Sequence, residues 1–163
     1  MIRKAMPNDL DIIEEVLEDV KSRMYDDGID QWDADYPNKD ILKQDIQRQV
    51  GYVYIENNEL LSYMVFNESC DKEYYLLMWK YPSPFLVIHR LFVSPLAQAK
   101  GISTKMIRFA EQYAIEHNYL SIRLDAFSLN ETANTVYLKK GYEFVGTVIF
   151  RKGLFNCYEK AIN

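Results

Sequence analysis

Residues 93–106 read VSPLAQAKGISTKM. The apolar run FLVIHRLFV ends at Ser94 and Pro95, and a few polar residues follow. From Gly101 onward Ile102, Met106, Phe109, Ala110 and Tyr113 recur at helical spacing. A strand therefore hands over to a helix through a turn of small residues. The first turn of a helix leaves backbone N–H groups unpaired and carries partial positive charge, so it attracts anions such as phosphate. Gly101 lets the backbone come close to a ligand, Ser103 and Thr104 offer small hydroxyls, and Lys100 and Lys105 add charge. The Gly-x-x-x-x-Gly-Lys pattern of nucleotide loops is missing, and so are the three glycines of a dinucleotide fingerprint. Taken alone, the stretch has two readings: an anion-binding turn, or an ordinary strand–helix turn that Gly101 tightens.

Working outward from this turn, the periodicity assigns the rest of the chain. Residues 2–5 read as a short strand. Asn8 or Asp9 then caps a helix carrying Ile13, Val16, Leu17, Val20 and Met24 on one face. YDDGIDQWDADYPN reads as a loop, and Asn38 caps a second helix with Ile41, Leu42 and Ile46 on one side. GYVYIENNELLSYMVF reads as a hairpin turning at Asn57-Asn58. NESCDKEYYLLMWKYPSP is a short helix or turn followed by loop. FLVIHRLFV has few polar residues, as in a strand covered on both faces. After the 101–118 helix, YLSIRLDAF is a strand and NETANTVYLKKG a short helix, capped by Asn130 and stopped by Gly141. YEFVGTVIF and LFNCYEKAI close the chain as two strands around Arg151, Lys152 and Gly153. This mixed order predicts an α/β sheet with helices on both faces, neither a bundle nor a sandwich.

Length and charge narrow the function. The 163 residues suit one domain, 1–163, able to bury a real core. With 48% apolar and 26% charged residues the composition is that of a globular protein. The 24 acidic side chains outnumber the 19 basic ones, which disfavours a general nucleic-acid binder and suits a cationic small molecule or basic peptide. The two cysteines, Cys70 and Cys157, lack metal-ligand spacing and read as free thiols in a reducing compartment. No apolar run approaches membrane-spanning length and the N-terminus has no apolar signal core, so the expected location is cytoplasmic, with no metal and no membrane partner.

LFVSPLAQAKGISTKMIRFAE resembles the acetyl-CoA loop of the GNAT superfamily of acyl-CoA-dependent N-acyltransferases. The family pattern is Arg or Gln, two residues, Gly, one residue, then Gly or Ala. Gln98, Ala99, Lys100, Gly101, Ile102 and Ser103 follow it, with Ser103 in place of the final Gly or Ala. A second segment, NETANTVYLKKGYEF, is similar to the family's later motif through Asn130, Ala133, Tyr137, Gly141 and Tyr142. IRKAMPNDLDIIEEV also looks like the family's first strand and helix, so the similarity covers nearly the whole chain. The resemblance implies a GNAT-like mixed, mostly antiparallel sheet of about seven strands, with a splay between strands 4 and 5. It implies acetyl-CoA as co-substrate, with backbone groups near Leu91, Phe92 and Val93 pairing with the pantetheine arm. The N–H groups of Ala99, Lys100, Gly101, Ile102, Ser103 and Thr104 would hold the pyrophosphate. Asn130 and Ala133 would lie along the pantetheine, and Tyr137 near the thioester sulfur.

That resemblance implies direct attack of an amine on the thioester. The amine must lose a proton, since a free Lys-like amine has a pKa near ~10.4. The oxyanion wants a donor and the leaving thiolate wants a proton. His89, in VIHRLFV, is the candidate base, near the point where many family members carry a carboxylate. It reads equally as a histidine making a structural hydrogen bond. Alternation puts Arg90 on the other face, as an ion-pair partner. Tyr137 is the candidate acid, or else a core ring. On the acceptor side Asp26, Asp30, Trp32 and Tyr36 combine carboxylates with aromatic rings, which suits an ammonium group. A solvated acidic loop is the other reading. YYLLMWKY, residues 74–81, is a second wall of that cleft or a homodimer contact. Two further functions keep the same fold: transfer of a longer acyl group, and a non-catalytic acyl-CoA-binding sensor or interaction module.

Overall fold

The computed structural model describes residues 1–162. The strands are β1 (Ile2–Lys4), β2 (Gly51–Glu56), β3 (Glu59–Asn67), β4 (Phe85–Val93), β5 (Ser121–Phe127), β6 (Glu143–Phe150) and β7 (Gly153–Ala161). The helices are α1 (Leu10–Asp26), α2 (Lys39–Gln47), α3 (Ile102–Glu116) and α4 (Glu131–Lys139), with short 3-10 turns at Pro7–Asp9, Lys72–Leu76 and Pro95–Ala97. The strands form one sheet in the order β1-β2-β3-β4-β5-β7-β6. The pairs β1/β2, β2/β3, β5/β7 and β6/β7 are antiparallel, and β4/β5 is parallel. The mostly antiparallel sheet of seven strands that the resemblance implied is the one observed.

The chain divides into two compact units, one made of Met1–Phe66 with His89–Ala110, the other of Asn67–Ile88 with the chain from Glu111 onward. In the first unit α1 buries Ile13, Val16, Leu17 and Val20 against Leu42 and Ile46 of α2 and Val53, Tyr63 and Val65 of the hairpin. Each of those aliphatic side chains, truncated to Ala, would cost about 2–5 kcal/mol. The hairpin turns at Asn57 (φ 51°) and Asn58 (φ 62°), the two left-handed residues a tight right-twisted hairpin requires. Asn38 caps α2, its side chain accepting from the Ile41 N–H at 3.1 Å. Asp9 stands where a cap of α1 is expected but makes no side-chain cap bond there. Its carboxylate instead takes a fork from Arg3, at 2.7 and 3.0 Å, and the Met6 N–H at 2.7 Å. An Arg fork is the stronger partner, and it ties β1 to the turn ahead of α1.

In the second unit β5 pairs along its full length with β7, from Ser121↔Ala161 to Phe127↔Phe155. Its parallel pairing with β4 runs over three residues, Phe85↔Ser121 to Val87↔Arg123. Ile122, Leu124 and Ala126 are buried from one face of β5. α4 has no fully buried residue. Polar bonds fasten it instead. Asn134 donates to the carbonyls of Phe127 (3.0 Å) and Asn130 (2.8 Å), and its own oxygen accepts from Asn156 (2.9 Å) and Tyr158 (2.5 Å). Among the described residues no helix is long and apolar enough to cross a membrane.

Candidate active site

The residues of the expected donor loop lie in the first unit. β4 ends at Val93, Pro95–Ala97 makes a 3-10 turn, and Gln98, Ala99, Lys100 and Gly101 are exposed. Ala99 (φ 63°) and Gly101 (φ 76°) are both left-handed. For Ala99 that conformation costs about 1–2 kcal/mol, and strain of this kind collects at binding loops. The ladder of α3 opens with the Lys105 N–H on the Gly101 carbonyl at 3.1 Å. The N–H groups of Ile102, Ser103 and Thr104 therefore come before it and have no partner within the helix. A Cβ built on Gly101 meets no atom within 4 Å. The arrangement suits an anion: exposed backbone, a helix start, no side chain in the way. Lys105 does not stand over it, because its ammonium donates to the Tyr54 hydroxyl at 3.2 Å. Gln98 turns back toward the Val93 carbonyl at 3.4 Å, a long contact. The Phe92 carbonyl accepts from Ser62 at 2.8 Å, and the Phe92 ring is buried in the core. Leu91 and Val93 are half-buried on either side of it.

His89 is half-buried, and next to it Arg90 is left-handed at φ 44°. A left-handed residue in mid-strand interrupts the regular two-residue alternation that set His89, Leu91 and Val93 on one face. Arg90 is an ion-pair partner, as its position suggested, and the partner is Asp45 of α2. The fork measures 3.0 Å at Nε and 2.6 Å at Nη2. Asp45 is only 3% exposed and also accepts from the Tyr63 hydroxyl at 3.0 Å. Burial, then the Asp45 charge, pushes that phenol far above its ordinary range. Removing one partner from a buried pair of this kind costs about 3–5 kcal/mol. Reading by period passed over Asp45, yet the signal was present: it lies four residues after Ile41 on the apolar side of α2.

The structure separates the residues that were expected to meet an acceptor. Trp32 meets Phe92 of β4 edge-on at 5.8 Å, and the Tyr36 hydroxyl accepts from Arg90 Nη1 at 3.0 Å. Asp33 accepts from the N–H groups of Asp35 and Tyr36, at 3.0 and 3.2 Å, so it shapes the loop. Asp26 is the last residue of α1 and is exposed, as is Asp30.

The remaining expected residues lie in the second unit. Asn130 caps α4, its side chain accepting from the Ala133 N–H at 3.1 Å. Tyr137 is half-buried, with its ring 6.2 Å from Tyr142 and 6.1 Å from Tyr158. Burial, then the charges of Asp125 and Tyr158, hold its hydroxyl above the usual phenol range. Asp125, inside the apolar strand β5, was not anticipated. Tyr74 donates to it at 2.6 Å, and burial raises its pKa from 3.8 to about 6. Of residues 74–81, Tyr74 is buried while Tyr75, Leu76 and Met78 are largely exposed. Cys70 and Cys157 are free thiols, and burial pushes Cys157 up to about 12. Among the described residues no group of three or more His, Cys, Asp or Glu is arranged to hold a metal ion.

Solved structures share this architecture. A GNAT-family acetyltransferase from Streptococcus agalactiae 2603 is 25% identical, with a TM-score of 0.90 over 100% of this chain and 95% of that one. A GNAT-family acetyltransferase from Listeria monocytogenes 4b F2365 is 26% identical, with a TM-score of 0.78 over 99% and 94%. The PaiA N-acetyltransferase from Thermoplasma acidophilum, solved in complex with coenzyme A, is 19% identical and shares the fold, at a TM-score of 0.75 over 99% and 98%. No curated protein matches the chain significantly. The profile of the Acetyltransferase (GNAT) domain matches residues 20–157, and with that the loop, the fold and the sequence agree: the chain belongs to the GNAT acetyltransferase family.

Proposed function

We propose that this protein moves an acetyl group from acetyl-CoA to a primary amine by direct attack on the thioester. The observation that carries the reading is the exposed turn at 98–101, left-handed at Ala99 and Gly101, which leads into the first turn of α3 in a chain of the GNAT family. Its N–H groups hold the pyrophosphate, and backbone groups of Leu91, Phe92 and Val93 pair with the pantetheine. Asn130 and Ala133 border that arm. The amine is charged at neutral pH and gives its proton to His89, directly or through water. Its nitrogen then bonds to the thioester carbon, the carbon–sulfur bond breaks and Tyr137 protonates the departing thiolate, while the second proton that the nitrogen sheds as the amide forms passes through water and restores the phenol. Asp26, Asp30, Trp32 and Tyr36 receive the acceptor, a small amine or a peptide amine. The exposed run of Tyr75, Leu76 and Met78 suits a contact in a homodimer. The expected site of action is the cytoplasm.

The test is turnover of acetyl-CoA with polyamines, amino acids, aminoglycosides and peptides, alongside propionyl- and octanoyl-CoA. Acetylation of one amine class sustains the reading. Preference for the longer donors replaces acetyl by a larger acyl group, and CoA binding without turnover on any amine makes the protein a sensor. In His89→Ala, kcat/KM should fall by roughly 10²-fold, and less at high pH, where the amine is already neutral. An unchanged pH profile assigns His89 a structural role.

A further inference from the structure

The segment 28–38, between α1 and α2, is fastened to β4 through one chain of polar side chains. Tyr36 is 39% exposed, yet its hydroxyl accepts from Arg90 Nη1 at 3.0 Å. Arg90 is held in turn by Asp45, which grips Nε at 3.0 Å and Nη2 at 2.6 Å. Asp45 is held by the Tyr63 hydroxyl at 3.0 Å. Tyr63 fits only because residue 51 is glycine, since a Cβ there would lie 2.6 Å from that hydroxyl. A second fastening sits beside the first, where Trp32 meets Phe92 edge-on. Inside the segment Asp33 accepts from two backbone N–H groups, and the Asp33 N–H donates to the Tyr36 carbonyl at 3.1 Å. An acidic loop that the residues alone allowed to be solvated is a braced wall carrying two aromatic rings.

The form of the brace bears on function. Ion pairing with Asp45 needs only a cation. Holding Asp45 and Tyr36 together needs a planar fork with several fixed donors, which arginine has and lysine lacks. Arg90 is also the left-handed residue between His89 and Leu91, so the anchored side chain belongs to the irregular point of β4. We infer that Arg90 is a positioning residue for acceptor recognition: Asp45 locks its guanidinium, Arg90 locks Tyr36, and Tyr36 with Trp32 presents the surface that selects among amines. The inference rests on the acetyl-transfer reading, which puts those two rings on the acceptor side.

Three full-length variants test it: Tyr36→Phe, Arg90→Lys and the double variant. Amide hydrogen exchange at residues 33–36 reads the brace, and steady-state kinetics with the best amine of the panel reads its purpose. In each variant exchange at these amides should rise about tenfold; the melting temperature should change little in Tyr36→Phe and fall in the two proteins with Arg90→Lys, which also lose the two-point fork on Asp45. The acceptor KM should rise roughly tenfold, while the KM for acetyl-CoA stays within about twofold. The double variant should be no worse than Arg90→Lys, because both remove the same bond. Unchanged exchange in Tyr36→Phe overturns the brace. Raised exchange with an unchanged acceptor KM, or with both KM values rising together, overturns the positioning role. Should the unaltered chain acetylate none of the amines, the reaction itself fails and the acceptor role of Arg90 fails with it, whatever the exchange reads.

Discussion

Tyr137 and Asp125 show how much one hydroxyl and one carboxyl depend on their surroundings. Burial, then the Asp125 charge, raises the Tyr137 phenol above its usual range, which keeps it protonated and also makes it a weaker proton donor to a thiolate. Tyr137→Phe keeps the ring contacts with Tyr142 and Tyr158 and removes only the oxygen. We expect kcat to drop by roughly 10²-fold with acetyl-CoA affinity nearly unchanged, and donors with more acidic thiols to recover much of the rate. Full kcat in a variant whose chemistry is rate-limiting would show that the ring is only packing. Asp125 gives a stability prediction of definite sign. Its folded pKa of about 6 lies above the unfolded 3.8, so the folded state holds the extra proton between those values. Stability from this group is therefore present below the unfolded value and lost as pH climbs through about 6. Asp125→Asn still offers Tyr74 an acceptor. It should gain ~1–2 kcal/mol over the parent at pH 7 and nothing at pH 4. Urea denaturation at the two pH values decides, and a variant less stable at pH 7 would mean that the ionised form is the favoured one.

At the scale of elements, the start of α3 and the seat of α4 rest on different physics. Gly101 is left-handed with open space where a side chain would go, so backbone conformation and closeness to a ligand are separable there. Asn tolerates the left-handed region and Val does not. Gly101→Asn should stay within about 1 kcal/mol of parental stability while binding CoA at least about tenfold more weakly, because its side chain fills the open space. Gly101→Val should lose stability as well. Calorimetry that found parental CoA affinity in a folded Gly101→Asn protein would remove the pyrophosphate from this turn. α4, by contrast, is oriented by a single carboxamide. Asn134 makes four hydrogen bonds, which is all that its two donors and one oxygen can make. Periodicity finds such a helix poorly, because it buries no complete apolar stripe. The caps at Asn38 and Asn130 and the turn at Asn57-Asn58 were legible, since each is settled within four residues of chain.

For the whole molecule, we propose that the two compact units unfold as one domain. β4 contributes Phe85–Ile88 to one and His89–Val93 to the other, and α3 is divided in the same way at Ala110. Part of β4 and part of α3 thus fall in each unit. Each unit has one tryptophan, Trp32 in the first and Trp79 in the second. Single-tryptophan variants made by Trp→Phe replacement should therefore report the same urea midpoint as far-UV circular dichroism, as a two-state transition requires. Midpoints that differ between Trp32 and Trp79 would make the units separate domains.

The order of strands and helices, the strand-to-helix turn at 93–106 and the GNAT resemblance followed from the sequence by itself, because hydrophobic period, caps and turns are local properties. The tertiary structure alone decided the sheet order β5-β7-β6, the Arg90–Asp45 pair across 45 positions and the Tyr74–Asp125 bond across 51. It also decided that Asp9 serves Arg3, and that a loop rich in aspartates is braced at Tyr36. Partners so far apart in the chain leave no periodic trace. A charged residue on an apolar face shows only that some partner must exist, and burial selects which one.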